Sequence, residues 1–292
     1  MLSYLCNLAI LTGIAVILSV SLNFLIGYAG VFSMAHAAFY GIGAYAGAIV
    51  AMHWTPELLV VLPISIIGCA VLSLAISLPA LRVRGEYFVV ASLGLQVIAV
   101  TIMEQWHTVT GGSGGLSGIP LPTVFGHEID SMPGMLAVTV VCTAAVVGVV
   151  AMLVRSSFGR NLLAIRDDEV AARAFGKNVP LIKTMAVAIA SSLCSIGGVL
   201  YAFQISFVNP ESFTINESVL ILAMVIIGGT GTLIGPIIGA VLIQLLPVLL
   251  SWLPLTSQDI GAFQQILYGA AMVALMLWRP AGLLGNAKRN PA

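Results

Sequence analysis

The residues able to do chemistry fall into two settings. One is charged: Arg166-Asp167-Asp168-Glu169-Val170-Ala171-Ala172-Arg173-Ala174-Phe175-Gly176-Lys177 is the core of the one sizeable charged island in the chain. Its spacing predicts a short helix. Asp167 is a good N-cap, and Asp168 and Glu169 put negative charge at the positive end of the helix dipole. Glu169 and Arg173 make an i,i+4 pair, Gly176 can take a left-handed stop, and Pro180 prevents continuation. Val170, Ala171, Ala174 and Phe175 form an apolar stripe. A helix this short is marginal alone, so the stripe beside charges of both signs points to docking in a groove on another protein. A helix lying on the membrane face of its own chain is the alternative. The second setting is uncharged: Asn23, Ser33, His36, Gln96, Gln204 and Gln244 lie inside apolar runs. Such side chains either bond a neighbouring helix or meet a polar solute passing between helices. His36, in Ser33-Met34-Ala35-His36-Ala37-Ala38-Phe39-Tyr40-Gly41, is the best placed for the second role.

Other chemistries lack their residues. Cys6, Cys69, Cys142 and Cys194 sit singly in separate apolar segments, and His53, His107 and His127 form no ligand cluster, so no metal is expected. No Ser/His/Asp, Cys/His or paired-carboxylate arrangement suggests an enzyme. The glycines at 228–235 lack the Lys-Ser/Thr that a phosphate-binding loop needs. The chain is therefore expected to carry no cofactor and no nucleotide site. No Asp, Glu, Lys or Arg falls mid-run, which argues against proton-coupled transport. Equal numbers of acidic and basic residues give no case for nucleic acid.

These residues must be positioned by apolar helices. The chain is 60% apolar and 8% charged, with mean hydropathy +1.10, and soluble chains average about 25% charged residues. Apolar runs fall near 5–26, 31–52, 58–80, 87–103, 135–154, 184–206, 218–230, 233–253 and 262–278. The expected fold is all-α: one polytopic domain, 1–292, of eight to ten transmembrane or partly broken helices. Two breaks are expected, at Gly27 and Gly30 and at Gly228, Gly229 and Gly231, where backbone can be irregular only if protein or a water-filled cavity satisfies it. Gly43 with Gly47, and Gly231 with Gly235 and Gly239, have the spacing of close helix contacts. All Lys and Arg lie in three places: Arg82 and Arg84; 155–183; and Arg279, Lys288 and Arg289. The positive-inside rule places these in the cytoplasm, with a coupling segment at 155–180. Glu57, Glu104, Glu128, Asp130, Glu211, Glu217 and Asp259 belong to outside loops, the longest being 104–134. Its Thr110-Gly111-Gly112-Ser113-Gly114-Gly115 stretch is either a plain linker or a docking surface. Three spans before Arg82 would put the N-terminus outside; an extra break would put it inside. No removable signal peptide is read at the start.

Residues 31–48 resemble the signature of LivM-type branched-chain amino acid ABC transporter permeases. So do Arg82-Val83-Arg84-Gly85-Glu86-Tyr87-Phe88, residues 110–120, Phe158-Gly159-Arg160 with 164–176, and Ile227-Gly228-Gly229-Thr230-Gly231-Thr232-Leu233-Ile234-Gly235-Pro236. Gly114 departs from the Asp or Asn that relatives often carry. The resemblance implies a multi-pass permease subunit in a prokaryotic plasma membrane. Its partners would be a second, related permease, two cytoplasmic ATPases that bind ATP-Mg, and an extracytoplasmic substrate-binding protein. Glu169-Val170-Ala171-Ala172 with Gly176 is similar to the coupling-loop pattern of such permeases, which implies that 166–176 seats on the ATPase. Branched-chain or other hydrophobic amino acids are the implied solutes. Urea, amides or aromatic acids, and an ATP-independent carrier or channel, stay open.

Overall fold

The computed structural model describes residues 2–80, 86–250, 257–278 and 282–284. Arg82, Arg84, Arg279, Lys288 and Arg289 lie outside the described residues. The helices are α1 (Leu2–Asn23), continued by a π-helical turn at Phe24–Tyr28, α2 (His36–His53), α3 (Leu58–Ala80), α4 (Glu86–Gln105), α5 (His107–Thr110), α6 (Met132–Arg155), α7 (Ser157–Asp167), α8 (Glu169–Ala174), α9 (Val179–Ile205), α10 (Ile215–Gly228), α11 (Ile234–Leu250) and α12 (Ser257–Trp278). Among the described residues, six stretches are long and apolar enough to cross a membrane, within α1, α3, α4, α6, α9 and α10 with its leading turn. α11 and α12 add shorter apolar runs.

α1 and α9 form the centre: 78% and 72% of their apolar windows are buried, against 17% for α6. α2 lies on α9 at very short range. A methyl group at Gly43 would stand 2.7 Å from Ser195 Cβ, and one at Gly198 would stand 2.9 Å from the carbonyl carbon of Gly43. Only glycines let the two backbones approach so closely. α10 and α11 form a hairpin in which Gly228 meets Gly235 and Gly239 meets Met224. Gly231 does not share that helix face, as its spacing suggested. It sits in the turn of the hairpin at φ +74°, which glycine tolerates.

The two ends of the bundle differ in charge. At one end Gln204 Nε2 donates to Asn7 Oδ1 (3.0 Å), β1 (Leu116–Ser117) pairs with β4 (Phe207–Val208), and Glu57 bridges to the hairpin of β2 (Thr123–Val124) and β3 (His127–Glu128). The start of α1 therefore shares a side with the 106–131 loop. Glu57, Glu128, Asp130 and Glu211 gather here. Arg155, Arg160, Arg166, Arg173, Lys177 and Lys183 gather at the other end, with α7 and α8. Glu217 departs from the expected loop position. It occupies the first turn of α10, where a carboxylate suits the positive dipole end, behind a turn whose Phe213 is fully buried.

The glycine-rich stretch is a folded turn rather than a plain linker. Thr110 Oγ1 donates to the carbonyls of Met103 (2.6 Å) and Trp106 (2.8 Å), and β1 is fixed to β4 just beyond it.

Candidate functional site

α2 begins inside the bundle, where its first N–H groups have no carbonyl of their own helix to bond. Other helices supply acceptors. The N–H of Met34 donates to Ser92 Oγ (2.9 Å), that of Ala37 to Ser218 Oγ (3.0 Å), and that of Ala38 to Gln96 Oε1 (2.7 Å). Gln96 Nε2 in turn donates to the carbonyl of Phe213 (2.5 Å). Gln96 and His36 are fully buried. His36 Nε2 meets Ser21 Oγ at 2.8 Å, while its Nδ1 has no partner among the described residues. Ser33 Oγ accepts from the N–H of Ala35 (3.3 Å). Gly41 lies beneath Phe213, whose ring packs edge-to-face on Tyr40, Tyr45 and Tyr201.

The two expected breaks are adjacent in space. Gly30 has φ +66°, and residues 30–35 are non-helical. At the second break, Asn23 Oδ1 accepts from the N–H of Gly231 (2.9 Å) and its Nδ2 donates to the carbonyl of Thr232 (2.8 Å). A methyl on Gly27 would stand 2.8 Å from Gly231 Cα. The amides of this turn are already engaged, with Gly229 bonded to Val225 and Gly235 to Thr232 Oγ1. The N–H groups of Leu283 and Leu284 satisfy the carbonyls of Ile227 and Gly228 at the end of α10 (both 3.1 Å).

The charged island holds two helices. Asp167 ends α7, and the N-cap of α8 is Asp168, whose Oδ1 accepts from the N–H groups of Val170 (2.8 Å) and Ala171 (2.9 Å). The cap moves one residue because α7 already includes Asp167. Gly176 takes φ +75°. The Glu169–Arg173 pair forms, and Lys183 adds a second ion pair to Glu169 at 2.7 Å. Partial burial pushes the Glu169 carboxyl up, but the hydrogen bond and charge of Lys183 and the charge of Arg173 outweigh this and hold it below 4.5. Ala172, which lies outside the apolar stripe, faces inward, joining Ile165 and Val179 in a small separate core with Ile182 beside it. Val170 and Phe175 are left 78% and 84% exposed. Arg166 points the other way, into the bundle, where its guanidinium donates to the carbonyl of Gly27.

Of the residues expected along a pathway, Asn23, Ser33, His36 and Gln96, with Gly41 of the same 33–41 stretch, lie along the line from the breaks to the first turns of α2. Gln204 is apart, at the opposite end of α9. A cleft of about 410 Å³ opens between α4, from Gln96 to Glu104, and the start of α10 at Thr214, Ile215 and Asn216. The apolar runs signalled neither Ser92 nor Ser218. A serine within such a run, opposite the start of another helix, is the signal that would have found them.

A bundle of apolar helices, charged asymmetrically at its ends and interrupted inside, has the form of a multi-pass membrane protein. The family model described as branched-chain amino acid transport system, permease component, matches residues 4–276. The chain belongs to that family of ABC transporter permeases. It is 31% identical to the high-affinity branched-chain amino acid transport system permease protein LivM of Escherichia coli strain K12, over 95% of this chain and 69% of that protein. It is 23% identical to the probable branched-chain amino acid transport permease protein LivM of Methanocaldococcus jannaschii, over 93% of this chain and 90% of that one. A solved structure, PsaBC from Streptococcus pneumoniae in complex with Fab, aligns over 96% of this chain and 93% of that chain, with TM-score 0.47 and 12% identity.

Proposed function

We propose that this chain is one of two permease subunits of a binding-protein-dependent importer for branched-chain or other hydrophobic amino acids. The basic end faces the cytoplasm, where Lys and Arg are retained, and the acidic loops meet an extracytoplasmic substrate-binding protein. Two cytoplasmic ATPases supply ATP-Mg chemistry, and the second permease closes the cleft between α4 and α10 into a shared pathway. The apolar wall of that cleft, with Val97, Val100 and Ile215, suits an aliphatic side chain, and the names of the relatives support the same solute class.

One observation carries the reading. At the basic end, a capped helix braced by two ion pairs holds Val170 and Phe175 out into solvent. Exposing two large apolar side chains on a rigid element is costly unless a partner covers them. The test is co-purification of the solubilised chain with its neighbouring gene products, comparing wild type with Val170→Ser plus Phe175→Ser. Both positions are exposed, so the double variant keeps its fold. An ATPase held by wild type and lost from the variant supports the importer. An ATPase held by neither moves a self-sufficient carrier or channel to the front.

A further inference from the structure

We propose that Arg166 is the positioning residue through which movement of the ATPase-docking helix reaches the two helix breaks. This rests on the importer reading and deepens it.

The argument is mechanical. α7, α8 and the start of α9 form one rigid unit. Ile165, Ala172 and Val179 are buried against each other. Asp168 ends α7 through its N–H to the carbonyl of Ala164 (3.1 Å) and caps α8 with its side chain. Glu169 ties α8 to α9 through Lys183. A force on Val170 or Phe175 therefore displaces the last turn of α7, which carries Arg166 only two residues before the shared corner.

Arg166 is the described cation whose side chain reaches the breaks. Its stem lies along Gly30, where a methyl group would stand 3.0 Å from Arg166 Cγ. Its guanidinium donates to the carbonyl of Gly27, in the π-helical turn that ends α1. A methyl at Gly231, in the other break, would stand 3.1 Å from Arg166 Nη1. Three glycines from two breaks thus surround one side chain of the docking unit. Asn23 then carries any shift of Gly27 to Gly231 and Thr232. π-helical turns are frequent at functional sites, and Gly27 carries one of the last carbonyls of this helix, which have no partner within it; Arg166 supplies one.

A merely structural cap would also place a cation at the end of α1, so the test must separate capping from coupling. The assembled complex, with both permeases, the ATPases and the binding protein, is reconstituted in vesicles. Leucine import and ATP hydrolysis are measured on the same preparation for wild type, Arg166→Gln and Arg166→Lys. For Arg166→Gln, assembly and hydrolysis are retained while import per ATP falls roughly tenfold, the scale of one lost charge-assisted hydrogen bond; Arg166→Lys recovers part of the ratio. An unchanged ratio in assembled Arg166→Gln overturns the proposal. If Arg166→Gln does not assemble, Arg166→Lys decides: a lowered ratio supports the proposal, and a wild-type ratio reduces Arg166 to a cap. Failure of the wild-type chain to retain an ATPase overturns the importer reading itself.

Discussion

Gln96 offers the sharpest test of how the interior works. Its side chain closes two backbone groups from distant elements, the N–H of Ala38 and the carbonyl of Phe213, at 2.7 and 2.5 Å. It is fully buried, so both bonds are made within the protein. Gln96→Met keeps the shape and deletes both bonds. A buried polar group left without a partner costs about 1–3 kcal/mol, which would give about 2–6 for the pair. Side-chain bonds inside membranes average only about 0.6 kcal/mol, because the unfolded chain also finds partners there. The expected loss lies between, at about 2–4 kcal/mol. Unfolding in mixed micelles titrated with SDS reads it directly. Were Gln96 only a solute contact, the variant would unfold like wild type and lose transport alone; a stability change under about 0.5 kcal/mol would refute the capping argument.

Gly43→Ala should destabilise by about 1–3 kcal/mol, since overpacking of that size forces α2 off α9, while Gly148→Ala, with nothing within 4 Å of the added methyl, should stabilise by about 0.5–1 kcal/mol; the same unfolding assay compares them. Glu57 accepts from the N–H groups of Phe125 (2.7 Å) and Gly126 (3.2 Å) and from Thr123 Oγ1 (2.9 Å). Desolvation raises its carboxyl, but these bonds lower it further, so it titrates below 4.5. The support it lends the hairpin is complete above that value and is lost as pH falls through the depressed one. Limited proteolysis at 123–128 should therefore accelerate in acid for wild type, and at neutral pH for Glu57→Gln. Lys183→Met should raise the Glu169 titration toward 4.5, read by carbon NMR of the carboxyl.

The sequence was most legible where the interactions are local. Gly176 and the Glu169–Arg173 pair follow from spacing within one turn, and the structure contains both. The cap expected at Asp167 falls at Asp168, because two adjacent aspartates are equally able and only the preceding helix chooses between them. Lys183, fourteen residues from Glu169, was beyond any local rule. The breaks were visible as glycines, yet nothing in the one-dimensional pattern says that Gly27 meets Gly231, or that Arg166 turns into the bundle while Asp167 beside it faces outward. Gln96 stood out as a polar residue in an apolar run; its partners come from α2 and from the turn before α10, so its capping role needed the fold.

The start of α2 also bears on how the chain is made. Synthesis delivers the N–H groups of Met34, Ala37 and Ala38 early, but their acceptors come later: Ser92 and Gln96 are each 58 residues further on, and Ser218 is 181. In the interval this seam can be held only by water or by the insertion machinery. α2 therefore settles after α4 has arrived, and its last donor is satisfied only when α10 follows. A chain arrested before residue 218 would leave the N–H of Ala37 without its acceptor in the interior of the bundle.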